Sequence, residues 1–120
     1  MNELQMGPIE SRFADIIWEH EPITSAELAK RSEALLSWKK TTSYTVLKRL
    51  CDKGLFRNEK GVVTSLIRRQ DFYAMQSERF VEETFAGSLP AFLAAFTSRK
   101  GLRPEEVAQL RRMIAEYEEE

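Results

Sequence analysis

The stretch from Trp38 to Gly54, WKKTTSYTVLKRLCDKG, constrains this chain most, because its residues divide between the two faces of one helix. At about 100° per residue, Ser43, Val46, Leu47 and Leu50 share a narrow sector able to lie on a core. Thr41, Thr45 and Lys48 point the opposite way, with Thr42 and Arg49 on one flank and Tyr44 on the other. Threonine hydroxyls and methyls can touch base edges in a DNA major groove, and Lys or Arg can reach guanine or phosphate. The outward set, with Lys40 at its start, is therefore the candidate surface for double-stranded DNA. A polar, basic outer face is also the ordinary state of a solvated surface helix, so the rest of the chain has to decide between the two.

Charge decides part of it. The net charge of the 120 residues is −1, which alone argues against a polyanionic partner. Its distribution argues the reverse. From Trp38 to Arg69 nine basic residues (Lys39, Lys40, Lys48, Arg49, Lys53, Arg57, Lys60, Arg68, Arg69) stand against two acidic ones, Asp52 and Glu59. From Asp71 onward six basic residues face ten acidic ones, ending in Glu116, Glu118, Glu119 and Glu120. Such asymmetry points to one part that binds a polyanion and another that stays clear of it.

Around the central helix the pattern gives an ordered map. A first helix is expected to begin near Pro8 and to bury Ile9, Phe13, Ile16 and Ile17 before Pro22 stops it. Thr24-Ser25-Ala26-Glu27 has the T-x-x-E spacing of a capping box, opening a second helix expected to run to about Ser32. A turn from Glu33 to Lys39 follows, with Trp38 expected where the second helix meets the third. The third helix spans about Lys40 to Lys53, and Gly54 suits a left-handed stop. Two short strands, about Leu55 to Arg57 and Val62 to Ile67, are joined by Asn58-Glu59-Lys60-Gly61. Helix, helix, reading helix and hairpin is the order of a winged helix-turn-helix, with Lys60 at the wing tip and Arg57, Arg68 and Arg69 nearby.

Beyond Arg69 the spacing is helical to the end. One helix is expected over about Asp71 to Ala86, carrying Phe80 and Phe85 and stopped by Gly87. A second is capped by Ser88, has Leu89, Phe92, Leu93 and Phe96 at i, i+3, i+4 and i+7, and is closed by Gly101. A third opens at Pro104-Glu105-Glu106 and carries Val107, Leu110, Met113, Ile114 and Tyr117 on one stripe. Three such faces, following a domain with its own core, are most simply covered by a second copy. The residues expected at that dimer interface are Phe80, Phe85, Leu89, Phe92, Leu93, Phe96, Val107, Leu110, Ile114 and Tyr117. The division is thus a DNA-binding domain over 1–70 and a three-helix dimerisation domain over 71–120, mainly α with a small β-hairpin. Two-fold pairing would present two reading helices to successive turns of an inverted repeat.

These residues resemble the penicillinase-repressor family of bacteria, which also includes copper-responsive repressors, over nearly the whole length from about Ile9 to Tyr117. Ala14-Asp15-Ile16-Ile17-Trp18 is similar to the family's apolar run closing on I-I-W. Trp38, Thr42, Thr45, Leu47, Arg49, Leu50, Lys53 and Gly54 match its W-x-x-x-T-x-x-T-x-L-x-R-L-x-x-K-G. Leu102-Arg103-Pro104-Glu105-Glu106 with Leu110 resembles the L-S-x-E-E-x-x-x-L opening of its last helix, which in the family helps hold the dimer. The resemblance implies a homodimeric repressor on a dyad-symmetric operator, with Thr42, Thr45 and Arg49 at matched positions of the reading helix. It also brings in an upstream sensor protease as a partner to consider. Family members often have Pro-Lys where this chain has Lys40-Thr41, and Ile or Val at Ser43. The segment from Gly54 to Phe80 is about four residues shorter than in the best-known relatives. Members inactivated by proteolysis are cut at an Asn-Phe pair that aligns with Ala95-Phe96, and the cysteine cluster of the copper-responsive members has no counterpart.

Other classes fit poorly. A lone cysteine, Cys51, allows no internal disulfide, and with one histidine there is no zinc-ligand spacing, so neither metal nor cofactor is expected. Cys51 reads as a half-buried filler beside Leu50, and His20 as a cation at a helix end. No phosphate loop or G-x-S-x-G occurs, and Glu82-Glu83 and Glu105-Glu106 lie on helix surfaces, so no enzyme is expected and no residue is assigned as catalytic. With 42% hydrophobic residues but no apolar run of spanning length and no secretory signal, the expectation is a cytoplasmic protein without stable membrane association. The rival that remains is a winged helix used only as a protein-interaction module without DNA binding.

Overall fold

Proline at the first helical position and a glutamate three residues after Gly7 start helix α1 (Pro8–His20) in a computed structural model that describes residues 6–119. The segment before Met6, where a leader would begin, and Glu120, last of the acidic run, lie outside those residues. Phe13, Ala14, Ile16 and Ile17 are buried at helical spacing. Ile9 shares their face by spacing but is 49% exposed, a correction to the expected core. The buried residues of α1 begin one turn later, at Phe13. The helix stops before Pro22, which holds Glu21 in extended backbone.

Strand β1 (Ile23–Thr24) leads directly into helix α2 (Ser25–Leu36). Thr24 Oγ1 accepts the Glu27 N–H at 3.1 Å, one half of the expected box. The other half is not made, since the Glu27 carboxylate pairs with Arg31 at 3.2 Å. The second helix continues past Ser32, where the expectation had it end. The buried Ser32 hydroxyl donates to the Leu28 carbonyl inside the helix at 2.8 Å, so it breaks nothing. The stop is Ser37, in the left-handed region at φ 59, whose N–H bonds back to Glu33. The turn therefore shrinks to residues 37–39. Trp38 lies in this turn between the second and third helices, as expected, and also stacks on Phe13 of α1, ring centroids 5.1 Å apart.

Helix α3 (Lys40–Asp52) buries Ser43, Val46, Leu47 and Leu50, the four inward positions read from spacing. Gly54 takes φ +86 just beyond it, where any other residue would be strained. The hairpin is shorter than its sequence signal: β2 spans Phe56–Glu59 and β3 Val62–Ser65. Asn58 and Glu59 belong to the strand, pairing with Val63 and Val62, and only Lys60 (φ 53) and Gly61 (φ 84) form the turn. Two successive positive φ values make the two-residue loop whose twist matches a hairpin. Strand β1 adds to the other edge of β3, Ile23 opposite Val63, giving sheet order β1-β3-β2. Sequence spacing missed this strand, since two residues carry no periodicity.

Helix α4 spans Arg69–Phe85 and starts two residues before the expected Asp71. Phe72 on its first turns is 2% exposed and belongs to the same cluster as Phe13, Leu28, Leu50, Phe56 and Val63. The chain forms two compact units, the first ending at Gln76 and the second beginning at Ser77. The first unit is a winged helix-turn-helix, with α2 and α3 as the turn motif and β2–β3 as the wing.

The second unit holds the rest of α4, helix α5 (Leu89–Arg99) and helix α6 (Pro104–Glu118). Helix α4 ends at Phe85 because Ala86 itself takes a left-handed φ of 51. Ser88 caps α5 by accepting the Ala91 N–H at 3.1 Å. That helix closes at Lys100 rather than Gly101, the Lys100 N–H returning to Phe96. Phe80, Phe85, Phe92 and Phe96 form a chain of ring contacts 5.6–6.1 Å between centroids. Even so, neither α5 nor α6 contains a buried residue.

Ser43 is 2% exposed and its hydroxyl has no hydrogen-bond partner. A buried donor left unmade costs stability that an apolar replacement restores. Ser43→Ala is therefore expected to raise unfolding stability by about 1 kcal/mol, read from urea midpoints at unchanged slope; a lower midpoint would show that the hydroxyl is bonded.

Candidate nucleic-acid interface

Because Ser43, Val46, Leu47 and Leu50 hold one side of α3 in the core, the opposite side is fixed toward solvent. Lys40, Thr41, Thr42, Tyr44, Thr45, Lys48 and Arg49 are all exposed. Structure and spacing thus agree on which side chains the helix displays. Thr45 Oγ1 donates to the Thr41 carbonyl at 2.9 Å, which commits its proton and leaves its lone pairs and methyl outward. Lys48 lies 3.4 Å from Asp52 one turn on, with both side chains largely in water. Such a pair contributes little and yields readily to a stronger anion.

Lys60 sits exposed at the tip of the β2–β3 turn. Of the basic residues expected nearby, Arg57 lies on wing strand β2, whereas Arg69 does not join it. Arg57 pairs with Glu59 on the same strand at 3.3 Å. Arg69 turns away from the wing altogether: its Nε lies 3.2 Å from Asp15, its Nη2 3.4 Å from Glu19, and its guanidinium 5.8 Å from the Trp18 ring centre. It fastens the start of α4 to α1. Trp18 completes that junction, donating from Nε1 to the Ile67 carbonyl at 3.0 Å and contacting Phe56 and Phe72.

A shallow groove of about 300 Å³ between α3 and β2 is lined by Tyr44, Leu47, Lys48, Cys51 and Asn58. Cys51 is half-buried there, and burial, with Asp52 next to it, pushes its thiol above the ordinary value. Protonated at neutral pH, it is a poor nucleophile and a filler, as read from its position beside Leu50. His20, at the end of α1, lies 3.4 Å from Arg31.

A sequence model of the family described as penicillinase repressor matches residues 6–116. The chain belongs to the penicillinase repressor family. A curated relative, the penicillinase repressor of Bacillus licheniformis, is 26% identical over 117 residues, covering 94% of this chain and 91% of that protein. Among the described residues of this family member, no helix is long and apolar enough to cross a membrane.

One neighbour of the displayed face in this member of the penicillinase repressor family comes from another helix. Glu10 of α1 accepts from Arg49 Nη1 at 3.0 Å and from the Gly7 N–H at 3.2 Å. Its separation of 39 residues from Arg49 put the pair beyond any local spacing rule. Burial opposes the Glu10 charge, but the Gly7 and Arg49 hydrogen bonds, helped by the Lys53 and Arg49 charges, outweigh it and hold the carboxyl below the ordinary glutamate range. A pKa lowered by folding stabilises the folded state above the unfolded value and stops doing so as pH falls through the folded one. Glu10→Gln is accordingly expected to lower stability at neutral pH by under about 1 kcal/mol, since Arg49 is half in water. The difference from the parent should begin to shrink as pH falls below 4.5, the ordinary value, and vanish only once pH has passed the lowered folded value, when urea midpoints are compared across pH.

Proposed function

We propose that this chain is a homodimeric transcriptional repressor that binds a dyad-symmetric duplex through α3, with the β2–β3 wing touching the backbone. One observation carries the reading: in a member of a repressor family, the inward stripe of α3 is locked in the core and the outward stripe is hydroxyl-rich and basic. In that role Thr41, Thr42, Tyr44 and Thr45 meet base edges, while Lys40 and Lys48 meet phosphates or guanine. With its proton given to Thr41, the Thr45 hydroxyl would accept from an adenine or cytosine amino group, or offer its methyl to a thymine. Lys60 would reach phosphate, contributing affinity without sequence preference.

The C-terminal helices would supply the second copy. Ile114 is 57% exposed and Tyr117 76%, with Leu89, Phe96 and Phe80 near half. An apolar face of this extent is characteristic of an interface between subunits. Phe85, Phe92, Leu93, Val107 and Leu110 are part-buried beside these residues and belong to the same proposed contact. Dimerisation would bring two reading helices to two half-sites, and a protein working on such an operator would reside in the cytoplasm. Were release to follow the family's proteolytic route, an upstream sensor protease would have to open Ala95–Phe96, a bond within α5.

A duplex titration at two salt concentrations tests the DNA reading. Affinity is expected to fall steeply with salt, as counterions displaced from several phosphates return, whereas a module for protein partners alone would retain no duplex at either concentration. Thr45→Ala should weaken a selected operator by roughly 1–3 kcal/mol and leave dimerisation intact, while Lys60→Ala should weaken all sequences alike. Intact operator affinity in Thr45→Ala would remove α3 from base contact. For the second unit, a fragment ending at Gln76, which retains Phe72 in the core, is expected to sediment as a monomer and to bind DNA far more weakly. Dimerisation by that fragment would refute the assignment of the C-terminal helices.

A further inference from the structure

We propose that Glu10 sets the non-specific DNA affinity of this repressor by masking Arg49, its carboxylate occupying the position that a duplex phosphate would otherwise take. The inference rests on α3 as the DNA-contacting helix.

Everything around the Glu10 carboxylate is what a phosphate would seek. One oxygen accepts the Gly7 N–H and the other the Arg49 guanidinium, at the N-terminal end of α1, where the helix dipole also favours an anion. Lys53 lies one helical turn beyond Arg49 on the same side of α3, and its charge acts on Glu10 as well. The partners are unequally seated. The Glu10 side chain is 19% exposed, against 53% for Arg49, so the acid is fixed and the arginine lies open. Arg49 flanks Thr45 and Thr42 on the displayed face, where an approaching strand would meet it.

The energies allow exchange. An ion pair half in water contributes little net stability, whereas a guanidinium on phosphate makes a charge-assisted, often bidentate contact. Arg49 can turn to a phosphate only by leaving the Gly7-anchored carboxylate unpaired beside it, so the parent withholds this contact and removal of the Glu10 charge makes it available. The effect falls on backbone contacts, which every sequence offers, and not on base contacts by the threonines. Glu10 thus lowers binding to every duplex alike, operator included, by withholding one sequence-independent contact.

The test uses the full chain and a mixed-sequence duplex over a range of salt. Glu10→Gln preserves size and the acceptor for Gly7 while removing the charge. Its log affinity against log salt is expected to steepen by about 0.9, one additional phosphate contact, with a gain of roughly five- to tenfold at low salt. In an Arg49→Gln background the same change should leave the slope unaltered. A parental slope in Glu10→Gln, a loss of affinity showing that Glu10 aims Arg49 productively, or a steepening that persists without Arg49 would each overturn the proposal. Parental protein that binds no duplex at any salt overturns this and the repressor reading together, whereas normal parental binding with an unmoved slope overturns the mask alone.

Discussion

Leu47 and Leu50 of α3 share one buried cluster with Phe13 and Ile17 of α1, and this apolar contact orients the molecule's chemistry. A helix rotated by half a turn would hide its threonines and expose its leucines. Each of Leu47, Leu50, Phe13 and Ile17 is at most 2% exposed, so rotation would cost several buried side chains at once. The wing follows from the same core. Leu55 and Phe56 leave α3 already buried, and Val63 returns into the cluster, which fixes the register of the hairpin and the place of its tip. What the outer surface offers to a ligand is thus determined from within.

Electrostatics refines that picture. The excess of positive charge between Trp38 and Arg69 is real in sequence, but folding partners a good part of it: Arg49 with Glu10, Lys48 with Asp52, Arg57 with Glu59, and Arg69 with Asp15 and Glu19. Most of these pairs are exposed and weak, so the charges remain available to a polyanion at small cost. Arg69 is the exception in kind. Held between two carboxylates and an indole ring, it serves as a fastening between α1 and α4.

Features with a periodic or local signature could be read from the residues. The inward and outward faces of α3, the caps at Thr24 and Ser88, the left-handed stop at Gly54 and the helical stripes after Asp71 all follow from spacing or from single-residue backbone preferences. What could not be read depended on distant neighbours. Ile9 has the right spacing for the core yet stays about half exposed in the first turn of α1. The second helix runs on past Ser32, whose buried hydroxyl bonds to the Leu28 carbonyl within the helix. Strand β1 exists only because β3 is there to pair with it. Glu10 and Arg49 meet through the tertiary fold alone, so the candidate surface was legible while the residue that tempers it was not.

Trp18 and Trp38, the chain's two tryptophans, both lie in the unit that ends at Gln76. Indole emission therefore watches only the winged half, and the helices beyond it are optically silent apart from tyrosine and the peptide backbone. A melt followed by tryptophan fluorescence and one followed by far-ultraviolet ellipticity would separate wherever the two halves come undone independently. The distribution of two aromatic rings makes the cooperativity of the whole chain measurable without a label.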